Sequence, residues 1–285
     1  MHARDIVAAV ELIFYIPTAI LAVIVCLSHG FNRSSGWIYT LILCTVRIAG
    51  AVCQFIKSSD LVETKIIIDS IGLSPLLLAT LGLLSRLVDF INAKSTPTFT
   101  IKHFRLLQLL ITLGLILSIV GGTSGTTKPD GTVQVATTSK AGIALYIVAY
   151  VGIVLVYLTS IPKTSIIPKQ ERRVPVAILL ALPFILVRLI YSGCAVFLHT
   201  HLFNPVTGNV VVRVVMAIVE EFVVVTIYIA LGFLVTKLHP TAQGPIAGRE
   251  WKNKNTRGER RVRRQPRDEL EQQGTYQPGP TGQAP

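Results

Sequence analysis

Seven apolar runs, each near the bilayer-spanning length of about 20 residues, constrain this chain more than any other feature. They cover roughly residues 6–28, 38–57, 66–91, 103–121, 141–160, 175–198 and 210–236. Inside a bilayer the backbone has no water to bond, so each run must satisfy its own N–H and C=O groups as a helix. The expected fold is all-α: a polytopic membrane protein with a seven-transmembrane-helix bundle over 1–236 and a polar tail over 237–285. Composition agrees, because only 15% of the 285 residues are charged, against about 25% in a soluble domain.

Breakers separate the runs: Gly, Ser and Asn over 29–36, Ser95-Thr-Pro97, Gly-rich 121–125, 162–175, and Asn204-Pro-Val-Thr-Gly208. Pro17, Pro75 and Pro183 fall inside runs and predict kinks. The first run contains Glu11 and Pro17 and lacks a small-x-small cleavage site, so it reads as a retained helix. No inverted repeat divides the odd helix number, which weakens a secondary-transporter reading. Cys26, Cys44, Cys53 and Cys194 lie in apolar runs without a CxxC pair or His at ligand spacing, as buried thiols do.

The net charge of +12 does not point to nucleic acid, because 10 of the 27 Lys and Arg residues lie in 237–285 and most others flank apolar runs. Counting alternate loops gives eight basic residues on one side and five on the other before the tail is added. That asymmetry places the N-terminus in the lumen and the C-terminus in the cytosol, with the endoplasmic reticulum as the expected membrane. Asn32-Arg33-Ser34 is a glycosylation sequon in a loop this topology assigns to the cytosol, so it is expected to be unused. The tail is rich in Gly, Pro and Gln and carries a basic run from Arg257 to Arg267. It is expected to be disordered, with the basic run on anionic headgroups.

Ionisable residues within spans each cost about 2.5–3.5 kcal/mol on insertion scales and need a partner or a polar cavity. They are Glu11, Arg47, Asp69, Arg86, Asp89, Arg188, Arg213, Glu220 and Glu221. At a helical rise of about 1.5 Å per residue, Glu11, Arg47, Asp69, Arg188, Glu220 and Glu221 share the middle-to-lumenal half. Arg86 and Asp89, three apart near the other end, read as a helix-surface pair or as snorkelling side chains.

The cluster of six suggests a polar pocket with carboxylates for acid–base work. Glu220 and Glu221 project about 100° apart, so both cannot address one spot. One can pair with Arg47 or Arg188 and stay ionised; the other, without a cation in apolar surroundings, keeps its hydrogen and can donate it. Tyr146, Tyr150 and Tyr157 fall within about 40° on one face of the fifth span. With Phe184 and Tyr191 on the sixth and Phe222 and Tyr228 on the seventh, they offer either packing or aromatic faces for a cation.

Several chemistries lack their residues. No DDxxD or DxDD motif is present for diphosphate ionisation or soluble-type protonation, and no histidine box for di-iron chemistry. Neither GxSxG nor a phosphate-cradling glycine loop occurs, the seventh span has no Lys for a retinal Schiff base, and receptor-type DRY and NPxxY are missing.

Four short pieces carry a resemblance: Glu11 with Tyr15-Ile-Pro17, Arg47-Ile-Ala-Gly50, Arg188-Leu-Ile-Tyr-Ser192, and Glu220-Glu-Phe222. Over residues 6–236 the chain resembles fungal seven-helix proteins that include the membrane-bound terpene cyclases of ascochlorin, ascofuranone and macrophorin biosynthesis. The resemblance implies metal-independent, cofactor-free cyclisation in a meroterpenoid pathway. A carboxylic acid would protonate an epoxide or terminal alkene on a prenyl chain attached to an aromatic or epoxyquinone head. It implies Glu220 or Glu221 as the acid, Arg47 and Arg188 holding the second carboxylate or the polar head, and Glu11, Asp69 and Tyr191 as further substrate contacts. The competing expectation is a seven-helix receptor or lipid-export protein of the fungal RTA-like kind, with no chemistry at all.

Overall fold

The computed structural model describes residues 3–29, 36–55, 71–94, 99–100, 101–123, 126–127, 133–134, 136–166, 171–198, 209–235 and 246. Asp69, the Asn32 sequon and, apart from Ile246, the tail from Lys237 onward lie outside the described residues. The chain divides into two units, 1–248 and 249–285, and every described residue belongs to the first.

Seven helices are long and apolar enough to cross a membrane, and the chain is an all-α polytopic membrane protein. They are α1 (Ala3–His29), α2 (Trp37–Phe55), α3 (Leu73–Lys94), α4 (Ile101–Thr123), α5 (Thr137–Ser160), α6 (Arg173–Phe197) and α7 (Val210–Leu234). Their limits fall within a few residues of the apolar runs, except where the start of the third run is not described. A two-residue antiparallel pairing, Thr126–Thr127 with Val133–Gln134, lies between α4 and α5.

Helix α3 is the axle. It touches α2, α4, α5 and α6, while α1 packs between α2 and α7, and α7, α6, α5 and α4 follow in order around it. The sequence dictates this, since α3 is leucine-rich on every side and buries Leu76, Leu77, Leu81, Leu83, Leu84 and Leu87. A helix apolar all round belongs inside a bundle. In α1 the inner face carries Tyr15, Ala22 and Val25, and the outer face presents Ile6, Ile13, Ile20 and Leu27 as a lipid-facing helix does.

Close approach depends on small residues, as expected where lipid provides no hydrophobic drive between helices. A Cβ on Gly114 of α4 would lie 3.1 Å from the Gly142 carbonyl oxygen of α5, and one on Gly142 would lie 2.9 Å from the Gly114 oxygen. Gly36, with φ +79°, leads into α2 while its α-carbon faces the Ala79 carbonyl of α3, 2.8 Å from where a Cβ would sit. Pro75 falls in the first turn of the described α3, where its missing N–H interrupts no bond of that helix. Pro17 and Pro183 are internal to α1 and α6.

Helix α7 is not regular. After Val210–Arg213, whose first turn is capped by Asn209 accepting from the Val211 N–H at 2.9 Å, the segment Val214–Ile218 winds as a π-turn. The α-helix resumes at Val219, whose N–H donates to the Val214 carbonyl. One extra residue in the turn re-aims everything after it, beginning with Glu220 and Glu221. Such bulges occur frequently at functional sites.

The two buried charge clusters lie toward opposite ends of the bundle. The Arg86 guanidinium is fully buried and grips Glu171, with Nε donating to Oε2 at 3.1 Å and Nη2 to Oε1 at 2.6 Å. Its Cζ also stands 5.7 Å from the centre of the Trp37 ring. With Arg86 and Asp89 4% and 5% exposed, this corrects the reading of the two as a helix-surface pair or snorkelling side chains. The partner, Glu171, lies in the turn before α6, 85 residues away, where sequence spacing gives no signal. Asp89 accepts from the backbone N–H of Ile246 at 3.1 Å.

Two of the three fifth-span tyrosines are braces. The Tyr150 hydroxyl donates to the Leu182 carbonyl and the Tyr157 hydroxyl to the Pro175 carbonyl, each at 3.0 Å, fastening α5 to α6. On the seventh helix the Tyr228 and Thr80 hydroxyls share a bond of 2.6 Å to α3, and the Trp37 indole donates to the Tyr228 carbonyl at 3.1 Å. These contacts are packing roles for residues otherwise open to an aromatic-cage reading.

Candidate functional site

Helix α7 delivers Glu221 to the centre of the bundle, about 16 Å in from Val210 at the helical rise. The residue is 0% exposed. Arg47 of α2 meets it with two donors, Nε to Oε2 at 2.6 Å and Nη2 to Oε1. Arg188 of α6 donates from Nε to Oε1 at 2.9 Å. Tyr15 of α1 donates its hydroxyl to Oε2 at 3.2 Å. One carboxylate thus fastens four helices, with bidentate geometry from Arg47.

Each partner is held in its turn. Arg47 and Arg188 are 3% and 2% exposed, so both charges have left water, and each is bonded to this carboxylate. Phe14 stacks on Phe222 at 3.8 Å between ring centres, and Tyr15 meets both rings edge-on at 5.3 and 5.2 Å. That aromatic seam fixes α1 against α7 and sets the direction of the Tyr15 hydroxyl. The Arg188 Cζ lies 5.7 Å from the centre of the Tyr191 ring, one turn along α6. Glu11 is also buried, one turn before Tyr15 on the same face of α1.

Gly72 forms the wall beside the pair. A Cβ there would come within 2.6 Å of Arg47 Nη2 and 3.1 Å of Glu221 Oε1. Backbone from the start of α3 therefore lies directly against the guanidinium–carboxylate bond, and any side chain would intrude. Sequence reasoning did not single out Gly72. Its one available signal was a glycine inside the third apolar run, at the depth expected for a buried charge.

Glu220 has the opposite surroundings. It is half-buried, its Oε2 is enclosed, and among the described residues it has no hydrogen-bond or ion-pair partner. Residues advance about 100° around a helix, so Glu220 lies about 200° from Phe222. Phe222 faces α1, which puts Glu220 on the other flank of α7. The structure thus brings Arg47, Arg188, Glu221 and Tyr15 into direct contact, with Glu11 and Tyr191 beside them and Glu220 adjacent but outside the network. Asp69, also expected in this cluster, lies outside the described residues.

The arrangement separates two carboxyls one residue apart. The first is saturated by two cations and a hydroxyl and is an electrostatic anchor. The second touches no cation among the described residues. Among the described residues, no group of three or more His, Cys, Asp and Glu side chains is placed to hold a metal ion.

A family model described as a domain of unknown function (DUF7702) matches residues 1–238. That is the whole helical bundle, with both charge clusters. Comparison with curated proteins and with solved structures gave no match.

Proposed function

We propose that this chain, which belongs to the DUF7702 family, is an integral-membrane terpene cyclase that closes a prenyl chain by protonation, without metal or cofactor. The observation that carries the reading is the asymmetry of the two neighbouring glutamates. Glu221 is consumed by Arg47, Arg188 and Tyr15, whereas Glu220 has no partner among the described residues. Proton-initiated cyclisation needs a carboxylic acid that no cation holds ionised, and a bundle that keeps it in place, which the Arg47–Glu221–Arg188 network provides across α2, α6 and α7.

In this reading Glu220 gives its proton to the epoxide oxygen or terminal alkene of the substrate. Epoxide protonation breaks a C–O bond and leaves positive charge on the substituted carbon, which the next alkene attacks to form the ring. Loss of a proton from the final cation ends the sequence with no net change in composition. Arg188 and Tyr191 contact the aromatic or epoxyquinone head, and Glu11 lies behind them on α1. The substrate is a lipophilic prenylated aromatic or epoxyquinone that arrives through the bilayer. The membrane assigned to the reaction is the endoplasmic reticulum, with the N-terminus lumenal and the C-terminus cytosolic, as the distribution of Lys and Arg favours.

The test is expression in a host that supplies linear prenylated epoxides and prenylated alkenes. A cyclic isomer of one precursor in extracts supports the reading. Retention or export of the unaltered precursor instead supports the receptor or lipid-export alternative.

A further inference from the structure

The second charge cluster contains a contact that the proposed chemistry does not use. Ile246 lies eleven residues beyond Val235, where α7 has already ended, yet it is 2% exposed and belongs to the packed apolar core. Its backbone N–H donates to Asp89 Oδ1 at 3.1 Å, and Asp89 is itself buried in the last two turns of α3. A charged acceptor buried in an apolar bundle needs donors, and one comes from a residue that sequence alone assigns to the polar tail.

We propose that Asp89 and the apolar residues around it form an intramolecular docking site whose occupant is this chain's own Ile246. The side chain fills the apolar part of the site, and the peptide N–H satisfies the carboxylate. The bond is specific to backbone, since it uses an N–H that every residue except proline carries, while burial of the side chain selects a medium-sized aliphatic. Asp89 lies one turn from Arg86, and Arg86 holds Glu171. A displaced Ile246 would thus open the same end of the bundle that the Arg86–Glu171 pair closes.

Thiol accessibility in the full chain, reconstituted in nanodiscs, tests this. Ile246→Cys and, as reference, Gln265→Cys are each placed in a background with the four native cysteines replaced by Ala or Ser. Both are reacted with a polar maleimide. The proposal expects Ile246→Cys to react at least about tenfold more slowly than Gln265→Cys, the protection expected of a buried site. It also expects Asp89→Ala to remove most of that difference, and Asp89→Asn, which keeps an acceptor oxygen, to retain part of it. Equal rates at the two positions in the otherwise unaltered chain overturn the proposal. So does protection that survives Asp89→Ala. Should Asp89→Ala fail to fold, Ile246→Pro provides the second route, because it removes the N–H and leaves Asp89 intact. Hydrogen exchange across peptides of α3 that span Asp89 should then accelerate, and unchanged exchange refutes the docking.

Discussion

Replacing Glu221 with Gln should destabilise the bundle far more than the same change at its neighbour. In the parent, Glu221 is the carboxylate that balances two buried guanidiniums. Gln keeps one acceptor oxygen but no charge, so Arg47 and Arg188 each lose an ionic partner in a water-poor interior. Removing one partner of a buried pair costs about 3–5 kcal/mol, and the retained acceptor argues for the lower end. With a conversion of about 2–4 °C per kcal/mol for a domain of this size, Tm should fall by roughly 6–12 °C. Glu220→Gln breaks no contact among the described residues, and should shift Tm by no more than about 2 °C, as ordinary substitutions away from buried networks do. Reporters are built in. Cys26 and Cys44 are 1% and 0% exposed, so a thiol-reactive fluorophore reads their release on heating in detergent or nanodiscs. Adding Arg188→Gln to Glu221→Gln removes one of the two cations bonded to that carboxylate and should recover part of the loss, a coupling that a double-mutant cycle measures. Equal shifts for the two glutamates, or Glu221→Gln as stable as the parent with no coupling to Arg188, would refute the electrostatic reasoning.

Gly72→Ala forces a methyl against Arg47 and Glu221, and overpacking of that kind should cost about 1–3 kcal/mol in the same thermal assay, with Gly72→Val worse. Arg86→Ala strands Glu171 and should lower stability by about 3–5 kcal/mol; because that pair is remote from Glu220, cyclisation per folded molecule should be unchanged. Tyr150→Phe and Tyr157→Phe each remove one hydroxyl bond from α5 to α6, and should cost about 1 kcal/mol apiece. Their effects should add, since the two hydroxyls bond different carbonyls of α6, and strong non-additivity in the double variant would show they act as one unit.

Helix number and placement are legible in the sequence because bilayer thickness fixes length and the absence of water fixes helicity. Neither depends on which helix meets which. Depth along each span was equally readable from the rise per residue, and it placed Arg47, Arg188 and Glu221 at matching levels. What periodicity does not carry is pairing across helices. Arg86 illustrates the loss, because Asp89 stands at helical spacing while the actual grip is on Glu171 in a turn that sequence reads as loop. Ile246 is another case: a lone aliphatic among Gly, Pro and Gln looks like tail until a buried acceptor claims its N–H. The π-turn over Val214–Ile218 leaves no trace in an unbroken run of Val, Met, Ala and Ile, yet it sets which way Glu220 and Glu221 point. Gly72 shows that a glycine's importance can lie in what presses on its missing side chain, a tertiary fact with no local signature.

The most direct measurement is product analysis from the linear prenylated precursor with the parent chain and with Glu220→Gln, at matched levels of folded protein. The account expects a cyclic isomer from the parent and only unreacted precursor from the variant. An undiminished yield of cyclic product from Glu220→Gln would contradict it.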